Sequence, residues 1–232
     1  MAAPTLVLLP PAGGNARAYD ALLETLPEQR CEVLEYPGRK LESRPLKTVG
    51  DLAAFVEAKL TSRGLTDVVL LGHSLGGAVA LEVALRGTAS LAGLVLIGTG
   101  GRLRVHPMIL ELVRQAAREN QPVPMPAVAF GPEAPEGLVD RVAKIWAETH
   151  PEGALGDWEA VNAFDRLEAL GEIVVPTLVL CGEADSLTPP KYSRKLAEAI
   201  PGALLFLHPT AGHVLPWEDP AWVAERIGAF AG

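Results

Sequence analysis

A serine flanked by glycines is the residue best placed to do chemistry in this sequence. The segment Gly72-His73-Ser74-Leu75-Gly76 follows an apolar run that predicts a strand and precedes a segment with helical spacing. A serine on so sharp a turn has a strained backbone, and the two flanking glycines avoid a collision. We expect Ser74 to expose a nucleophilic hydroxyl, with the Leu75 backbone N–H beside the oxyanion. The alternative is a glycine-rich packing turn in which Ser74 only caps the helix.

A serine nucleophile requires a general base, and two of the five histidines follow the last predicted strand. His213 lies in the loop Thr210-Ala-Gly-His-Val-Leu-Pro, at the carboxyl edge where α/β sheets bind ligands. His208 is closer to the end of the strand. The position in the loop favours His213 as the base, whereas a satisfied surface or turn histidine is the alternative for either residue.

A carboxylate that orients the base should lie at the same edge. Asp185 follows the strand predicted at 176–181, and the order Ser74, Asp185, His213 is the order expected for this type of serine turn. Glu183 is the alternative acid. Asp185 could also serve only as a turn or cap residue before Pro190.

The loop after the first predicted strand is expected to supply the second oxyanion donor. In Leu8-Leu-Pro-Pro-Ala-Gly-Gly-Asn15, Pro10 and Pro11 have no N–H, so the backbone N–H of Ala12 is the predicted donor. The glycines that follow allow a substrate to approach the backbone closely. The spacing of a phosphate-binding loop is absent from this segment.

These residues require a sheet whose strands end at one edge. Short apolar runs alternate with amphipathic segments, which predicts an α/β fold with a doubly wound, mainly parallel sheet of about six strands. The predicted strands are 5–9, 31–36, 67–71, 93–97, 176–181 and 203–207. The predicted helices between them are 16–26, 49–62, 75–86, 190–200 and 220–230.

The alternation breaks once, over residues 101–171, where helical spacing appears at 108–119, 137–150 and 157–170 without a strand. We interpret this as an insertion into a single domain that spans 1–232. Its apolar side chains could line a substrate pocket, for which the candidates are Met108, Met125, Phe130 and Trp146. They could equally form a small core of the insertion itself.

Composition limits the possible partners. The chain has 232 residues, and 20 basic against 28 acidic side chains give a net charge of −8, which disfavours nucleic acid and anionic membranes. The spacing of the two cysteines predicts neither a metal site nor a disulfide framework. No signal peptide or membrane span is predicted, so a cytoplasmic protein, a monomer or a small homo-oligomer, is expected.

The motifs together resemble those of the α/β-hydrolase superfamily over essentially the whole chain. The resemblance rests on the serine turn, on Gly182-Glu-Ala-Asp-Ser-Leu-Thr-Pro189, and on Ala211-Gly-His-Val-Leu-Pro-Trp-Glu-Asp-Pro220. It implies Ser74 as nucleophile, His213 as base, Asp185 as acid, Ala12 and Leu75 as oxyanion hole, and 101–171 as a lid.

Different parts of the chain resemble family members that act on different substrates. Members usually have His-Gly after the first strand, where this chain has Pro10-Pro11. The Pro-Pro-Ala-Gly-Gly loop and Glu35-Tyr-Pro-Gly-Arg39 are similar to type II thioesterases, whereas the C-terminal motifs are similar to carboxylesterases.

The predicted function is therefore a serine hydrolase that cleaves a small or medium-chain carboxylic ester through an acyl-enzyme, without a cofactor or metal. The alternatives are an acyl thioesterase, a lyase that uses the same three residues, and a non-catalytic binding protein.

Overall fold

Six parallel strands form the central sheet, in a computed structural model that describes residues 3–41 and 43–231. Their order across the sheet is β2-β1-β3-β4-β5-β6. The chain therefore winds outward in one direction from β1 to β2 and then in the other from β3 to β6, which confirms the predicted doubly wound α/β class. The strands are β1 (Thr5–Leu9), β2 (Cys31–Val33), β3 (Val68–His73), β4 (Leu91–Ile97), β5 (Thr177–Gly182) and β6 (Leu204–His208).

Helices cover both faces of this sheet because successive side chains of a strand point to opposite sides. The helices are α1 (Asp20–Glu24), α2 (Val49–Ser62), α3 (Leu75–Arg86), α4 (Pro107–Arg118), α5 (Leu138–Trp146), α6 (Pro151–Ala163), α7 (Pro190–Ala199), α8 (Leu215–Glu218) and α9 (Pro220–Ala231). In β1, Val7 and Leu9 pack in one buried cluster with α2 and α3, whereas Leu6 and Leu8 pack in the other with α1 and α9. No helix in the described ranges is long and apolar enough to cross a bilayer.

The predicted strand at 31–36 is too long. The structure ends β2 at Val33, although the Leu34 N–H still donates to the Leu8 carbonyl at 3.0 Å. Pro37 and Gly38, which has a φ of +88°, then direct the chain away from the sheet edge.

Residues 101–171, called the helical segment below, contain α4, α5 and α6. The helix predicted at 157–170 is wrong in its position. Helix α6 begins at Pro151, where Nδ1 of His150 accepts the Glu152 N–H, and it ends before Phe164, whose backbone is extended. Phe164 is buried, and its carbonyl accepts a hydrogen bond from Arg104 at 3.0 Å, so tertiary contacts end the helix there.

The carboxyl ends of the strands bring the sequence motifs together. Ser74 follows β3 directly, Ala12 follows β1, Asp185 follows β5 and His213 follows β6. Parallel strands present these ends at one edge, so four segments distant in sequence converge there.

Candidate active site

Ser74 occupies a strained turn between β3 and α3. Its φ of 54° and ψ of −113° lie outside the regions that ordinary side-chain-bearing residues favour. The Ser74 N–H donates to the Ile97 carbonyl at 2.9 Å, which fixes the turn to the neighbouring strand. A Cβ atom at Gly72 would overlap the Gly76 backbone, and one at Gly76 would overlap the Leu9 carbonyl. The glycine spacing of the motif therefore follows from the close approach of three backbone segments.

Asp185 and His213 form a buried pair. Asp185 Oδ2 lies 2.9 Å from His213 Nδ1, and the two residues are only 3% and 7% exposed. Asp185 Oδ1 accepts the N–H groups of Leu187 and Thr188 at 2.9 and 2.8 Å, and the Thr188 hydroxyl donates to Oδ2 at 2.8 Å. Because these bonds complete the environment of the carboxylate, its orientation toward the imidazole is fixed.

The pair has a defined protonation pattern. Burial acts to raise the pKa of Asp185, but attraction to His213 and the hydrogen bonds from His213 and Thr188 outweigh it, so this pKa is lowered. An ionised carboxylate can only accept, so Nδ1 of His213 carries the hydrogen. When the ring is neutral, Nε2 is the nitrogen that can accept a proton.

The ring of His73 packs against the ring of His213. The ring centroids are 4.9 Å apart, and His73 Nε2 donates to the His213 carbonyl oxygen at 2.8 Å. Burial, together with the proximity of His213, lowers the pKa of His73 to about 3, so the ring is neutral. The His213 N–H also donates to the Ala129 carbonyl at 2.7 Å, so both polar atoms of the His213 backbone are bound.

Gly98, at the end of β4, permits the close packing of the pair. A Cβ atom there would lie 3.2 Å from Asp185 Oδ2 and 3.3 Å from His213 Nδ1, and the φ of +51° already disfavours a side chain. Sequence reasoning missed both Gly98 and His73. For Gly98, the available signal was a glycine that directly follows Ile97 at the end of an apolar run.

Ser74 and His213 line the same cleft. Within residues 3–41 and 43–231, no group forms a hydrogen bond with Ser74 Oγ, although His213 borders the same space. Serine–histidine hydrogen bonds often tighten only when substrate binds. The arrangement thus brings Ser74 and His213 to the same cleft, and Asp185 reaches it only through its contact with His213.

The predicted oxyanion donors are also at this edge. In the described part of the chain, neither the Ala12 N–H nor the Leu75 N–H donates to a protein group. Leu75 is the first residue of α3, so its N–H lacks a partner within the helix. In these ranges neither N–H is therefore used by another protein group, and Ala12 lines the cleft.

The structure separates the four pocket candidates. Met125 and Trp146 line the cleft, together with Trp158. Met108 is 67% exposed on α4, and Phe130 packs against the core on the α9 side of the sheet, so neither borders this cleft. The helical periodicity of α4 turns Met108 toward solvent, because Leu110 and Val113 occupy its buried face.

The alternative base and acid are engaged elsewhere. His208 Nε2 lies 3.2 Å from Asp219 Oδ2, and its ring packs edge-on against Trp222. Glu183 accepts a hydrogen bond from Arg194 at 3.1 Å. Across the described ranges, no group of three or more His, Cys, Asp or Glu side chains is arranged to hold a metal ion.

Comparison with known proteins gives a consistent picture. The model of the alpha/beta hydrolase family matches residues 6–226. A protein of Pseudomonas savastanoi pv. phaseolicola named "Putative carbamate hydrolase RutD" is 31% identical over 233 residues, which cover 94% of this chain and 90% of the relative. A protein of the same name from Variovorax paradoxus is 29% identical over 219 residues, covering 87% of this chain and 81% of that relative.

Solved structures share the fold. An esterase from Exiguobacterium antarcticum superposes with a TM-score of 0.87 at 20% identity, over 98% of this chain and 91% of that one. An enol-lactonase from Burkholderia xenovorans superposes with a TM-score of 0.86 at 21% identity, over 99% and 92% of the two chains.

Proposed function

The chain belongs to the alpha/beta hydrolase family, and from this premise we propose that it is a serine hydrolase that cleaves a carboxylic ester in two acyl-transfer steps. The observation that carries the proposal is the buried hydrogen bond between Asp185 and His213, at a cleft that Ser74 also lines. A carboxylate, an imidazole and a hydroxyl in that order are the groups that activate a serine nucleophile.

In the first step, His213 Nε2 removes the Ser74 hydroxyl proton as Ser74 Oγ forms a bond to the ester carbonyl carbon. The negative charge moves to the carbonyl oxygen, which accepts hydrogen bonds from the Ala12 and Leu75 N–H groups. The intermediate collapses when His213 gives its proton to the departing alcohol. Water, deprotonated by His213, then attacks the acyl-enzyme and releases the acid, and Ser74 regains its proton.

The lining of the cleft supports an uncharged acyl group of small or medium size. Its walls are mainly apolar, with Met125, Trp146 and Trp158 among the large side chains. No Asp, Glu, Lys or Arg of the described ranges is among its lining residues. An anionic acyl tail held against these walls would lose its hydration, because Arg104 lines not this cleft but an adjoining pocket that Ser74 and His213 also border.

Carbamate hydrolysis is a second candidate, and the names of the 29–31% identical relatives are the observation that favours it. The same serine could attack a carbamate carbonyl, with an amine or ammonia leaving in place of the alcohol. We rank it second because the apolar walls around Met125 and Trp146 suit a hydrocarbon chain better than an amide-like group.

The test compares leaving groups on matched acyl chains. Purified protein is assayed with p-nitrophenyl acetate, butyrate and octanoate, with the corresponding acyl thioesters, and with a simple alkyl carbamate, with Ser74→Ala as the control. The proposal expects the highest kcat/KM for an oxygen ester, with activity abolished by Ser74→Ala. Preference for the thioester or the carbamate would replace the ester assignment.

Turnover in ¹⁸O-labelled water separates hydrolysis from the remaining alternatives. Hydrolysis places one labelled oxygen in the acid product. Product without the label would indicate a lyase. Stoichiometric retention of an unaltered ester, equal in Ser74→Ala, would indicate a binding protein and contradict the proposed function.

A further inference from the structure

We propose that Asp157 and Trp146 are positioning residues that hold the peptide unit between Ala12 and Gly13, and thereby aim the Ala12 N–H at the oxyanion. The inference rests on the proposed function, because it assigns Ala12 as an oxyanion donor. It adds that the helical segment completes the oxyanion hole in addition to bordering the cleft.

Two side chains bind opposite ends of a single peptide unit. Asp157 Oδ2, on α6, accepts the Gly13 N–H at 2.8 Å. Trp146 Nε1, at the end of α5, donates to the Ala12 carbonyl oxygen at 3.3 Å. The peptide unit is planar, so binding its N–H and its C=O fixes the orientation of the whole plane. The direction of the Ala12 N–H then depends only on that plane and on the two backbone torsions of Ala12.

The loop needs this support because its own hydrogen bonds are few. Pro10 and Pro11 contribute no N–H, and the Gly14 N–H donates within the loop to the Pro11 carbonyl at 2.9 Å. Gly13 has a φ of +69°, a conformation that glycine adopts readily and without a steric preference for one orientation. The contacts that set the Ala12–Gly13 plane therefore come from residues more than 130 positions away.

Arg39 lies beside the Asp157 carboxylate in this buried place. Arg39 Nη2 lies 2.8 Å from Asp157 Oδ2, and the two side chains are 3% and 2% exposed. Burial raises the pKa of Asp157, and attraction to Arg39 and the hydrogen bond from Gly13 offset only part of that rise. The guanidinium also stacks over Tyr36, with 5.4 Å to the ring centroid.

A buried ion pair is poor evidence of stabilisation, since the loss of hydration can exceed the attraction between the charges. The Arg39–Asp157 pair does fix a position, because the Oδ2 atom that Arg39 contacts is also the atom that accepts the Gly13 N–H. Arg39 belongs to the Glu35-Tyr-Pro-Gly-Arg39 segment, which the proposed catalytic steps do not otherwise use. We therefore assign its role to the support of Asp157.

The experiment uses two double variants that differ in one property. Arg39→Met with Asp157→Asn, and Arg39→Met with Asp157→Ala, both lack the ion pair and leave no unpaired buried charge. Only the asparagine keeps an oxygen that can accept the Gly13 N–H. We measure kcat and KM for a p-nitrophenyl ester, and the inhibition constant of an alkyl trifluoromethyl ketone, which adds to a serine as a tetrahedral oxyanion.

The asparagine variant should retain kcat within about threefold, whereas the alanine variant should lose roughly tenfold to a hundredfold, below the loss of an entire oxyanion donor. The inhibition constant of the ketone should rise by the same factor as kcat/KM falls, with KM nearly unchanged. Equal kcat values for the two variants, or a change confined to KM, would overturn the inference.

Trp146→Phe provides the second test if the alanine variant fails to fold. It removes the donor to the Ala12 carbonyl and should lower kcat about threefold to tenfold. Trp217→Phe is the matched control, because Trp217 Nε1 donates to the Ala18 carbonyl at 2.7 Å, which is not part of the site. Equal kcat values for Trp146→Phe and Trp217→Phe would contradict the inference.

The outcomes distinguish the two proposals. If the parent protein hydrolyses the ester through Ser74 but neither test changes kcat, only the positioning role is wrong. If the parent protein does not turn over any ester, the proposed function fails and the inference fails with it.

Discussion

Replacing Gly98 by alanine should damage the contact between Asp185 and His213 more than it damages the fold. The new Cβ would lie 3.2 Å from Asp185 Oδ2 and 3.3 Å from His213 Nδ1, so the pair must retreat by a few tenths of an ångström. A 1 Å misplacement of reacting groups can cost about a hundredfold in rate, so this smaller shift should lower kcat about threefold to tenfold. The φ of +51° adds a backbone penalty of about 1 kcal/mol.

Gly87→Ala is the matched control for this experiment. Gly87 has a similar φ of +64° at the end of α3, but a Cβ there would meet nothing within 4 Å. Both variants should therefore lose about 1 kcal/mol in the free energy of unfolding, measured by urea titration. Only Gly98→Ala should also lose kcat in ester hydrolysis. A parental kcat in Gly98→Ala, or an equal loss of kcat in Gly87→Ala, would show that contacts of the new Cβ with Asp185 and His213 do not limit catalysis.

Three further predictions concern the pair and its surroundings. Asp185→Asn should lower kcat about 10⁴-fold. The two N–H donors at Oδ1 will hold the amide oxygen there and turn the NH₂ group toward His213, which reverses the tautomer of the imidazole. A loss of kcat below tenfold would contradict this prediction. The pKa of His73 is about 3 in the folded protein and about 6.5 in the unfolded chain, so the unfolded chain binds the proton first as pH falls. Between pH 6.5 and 3 the free energy of unfolding therefore falls by about 1.4 kcal/mol per pH unit. In urea titrations at pH 7, 5.5 and 4.5, the stability of His73→Gln relative to the parent should therefore increase at the two lower pH values. The same dependence of unfolding free energy on pH in both proteins would exclude the effect. Burial, with a smaller contribution from the Asp185 charge, raises the pKa of Cys181 to about 12, so iodoacetamide at pH 8 should modify Cys181 only after unfolding in urea; rapid modification of the native protein would contradict the buried environment.

The strands and the serine turn could be predicted from sequence because their signals are local. Each central strand is a short apolar run, and the Gly72-His73-Ser74-Leu75-Gly76 motif combines its glycine spacing with a strand before it and a helix after it. Strand β1 was predicted with its observed bounds, Thr5–Leu9. The order of Ser74, Asp185 and His213 along the chain likewise needs no contact information.

The supporting residues could not be predicted because their roles depend on distant contacts. His73 meets the His213 carbonyl across 140 positions, and Asp157 meets Gly13 across 144. In sequence, Asp157 is an ordinary polar residue of a helical stretch. The bounds of α6 were misjudged for the same reason, since burial of Phe164 ends that helix against its local periodicity.

Labelling with a fluorophosphonate shows directly whether Ser74 is an activated nucleophile. The reagent bonds covalently to a serine only when that serine is activated, and intact mass followed by peptide mapping locates the adduct. We expect one adduct per chain, on Ser74, that is absent from Ser74→Ala and forms far more slowly in His213→Ala. No adduct in the folded protein, or an adduct at another residue, would contradict the assignment of Ser74 as the nucleophile.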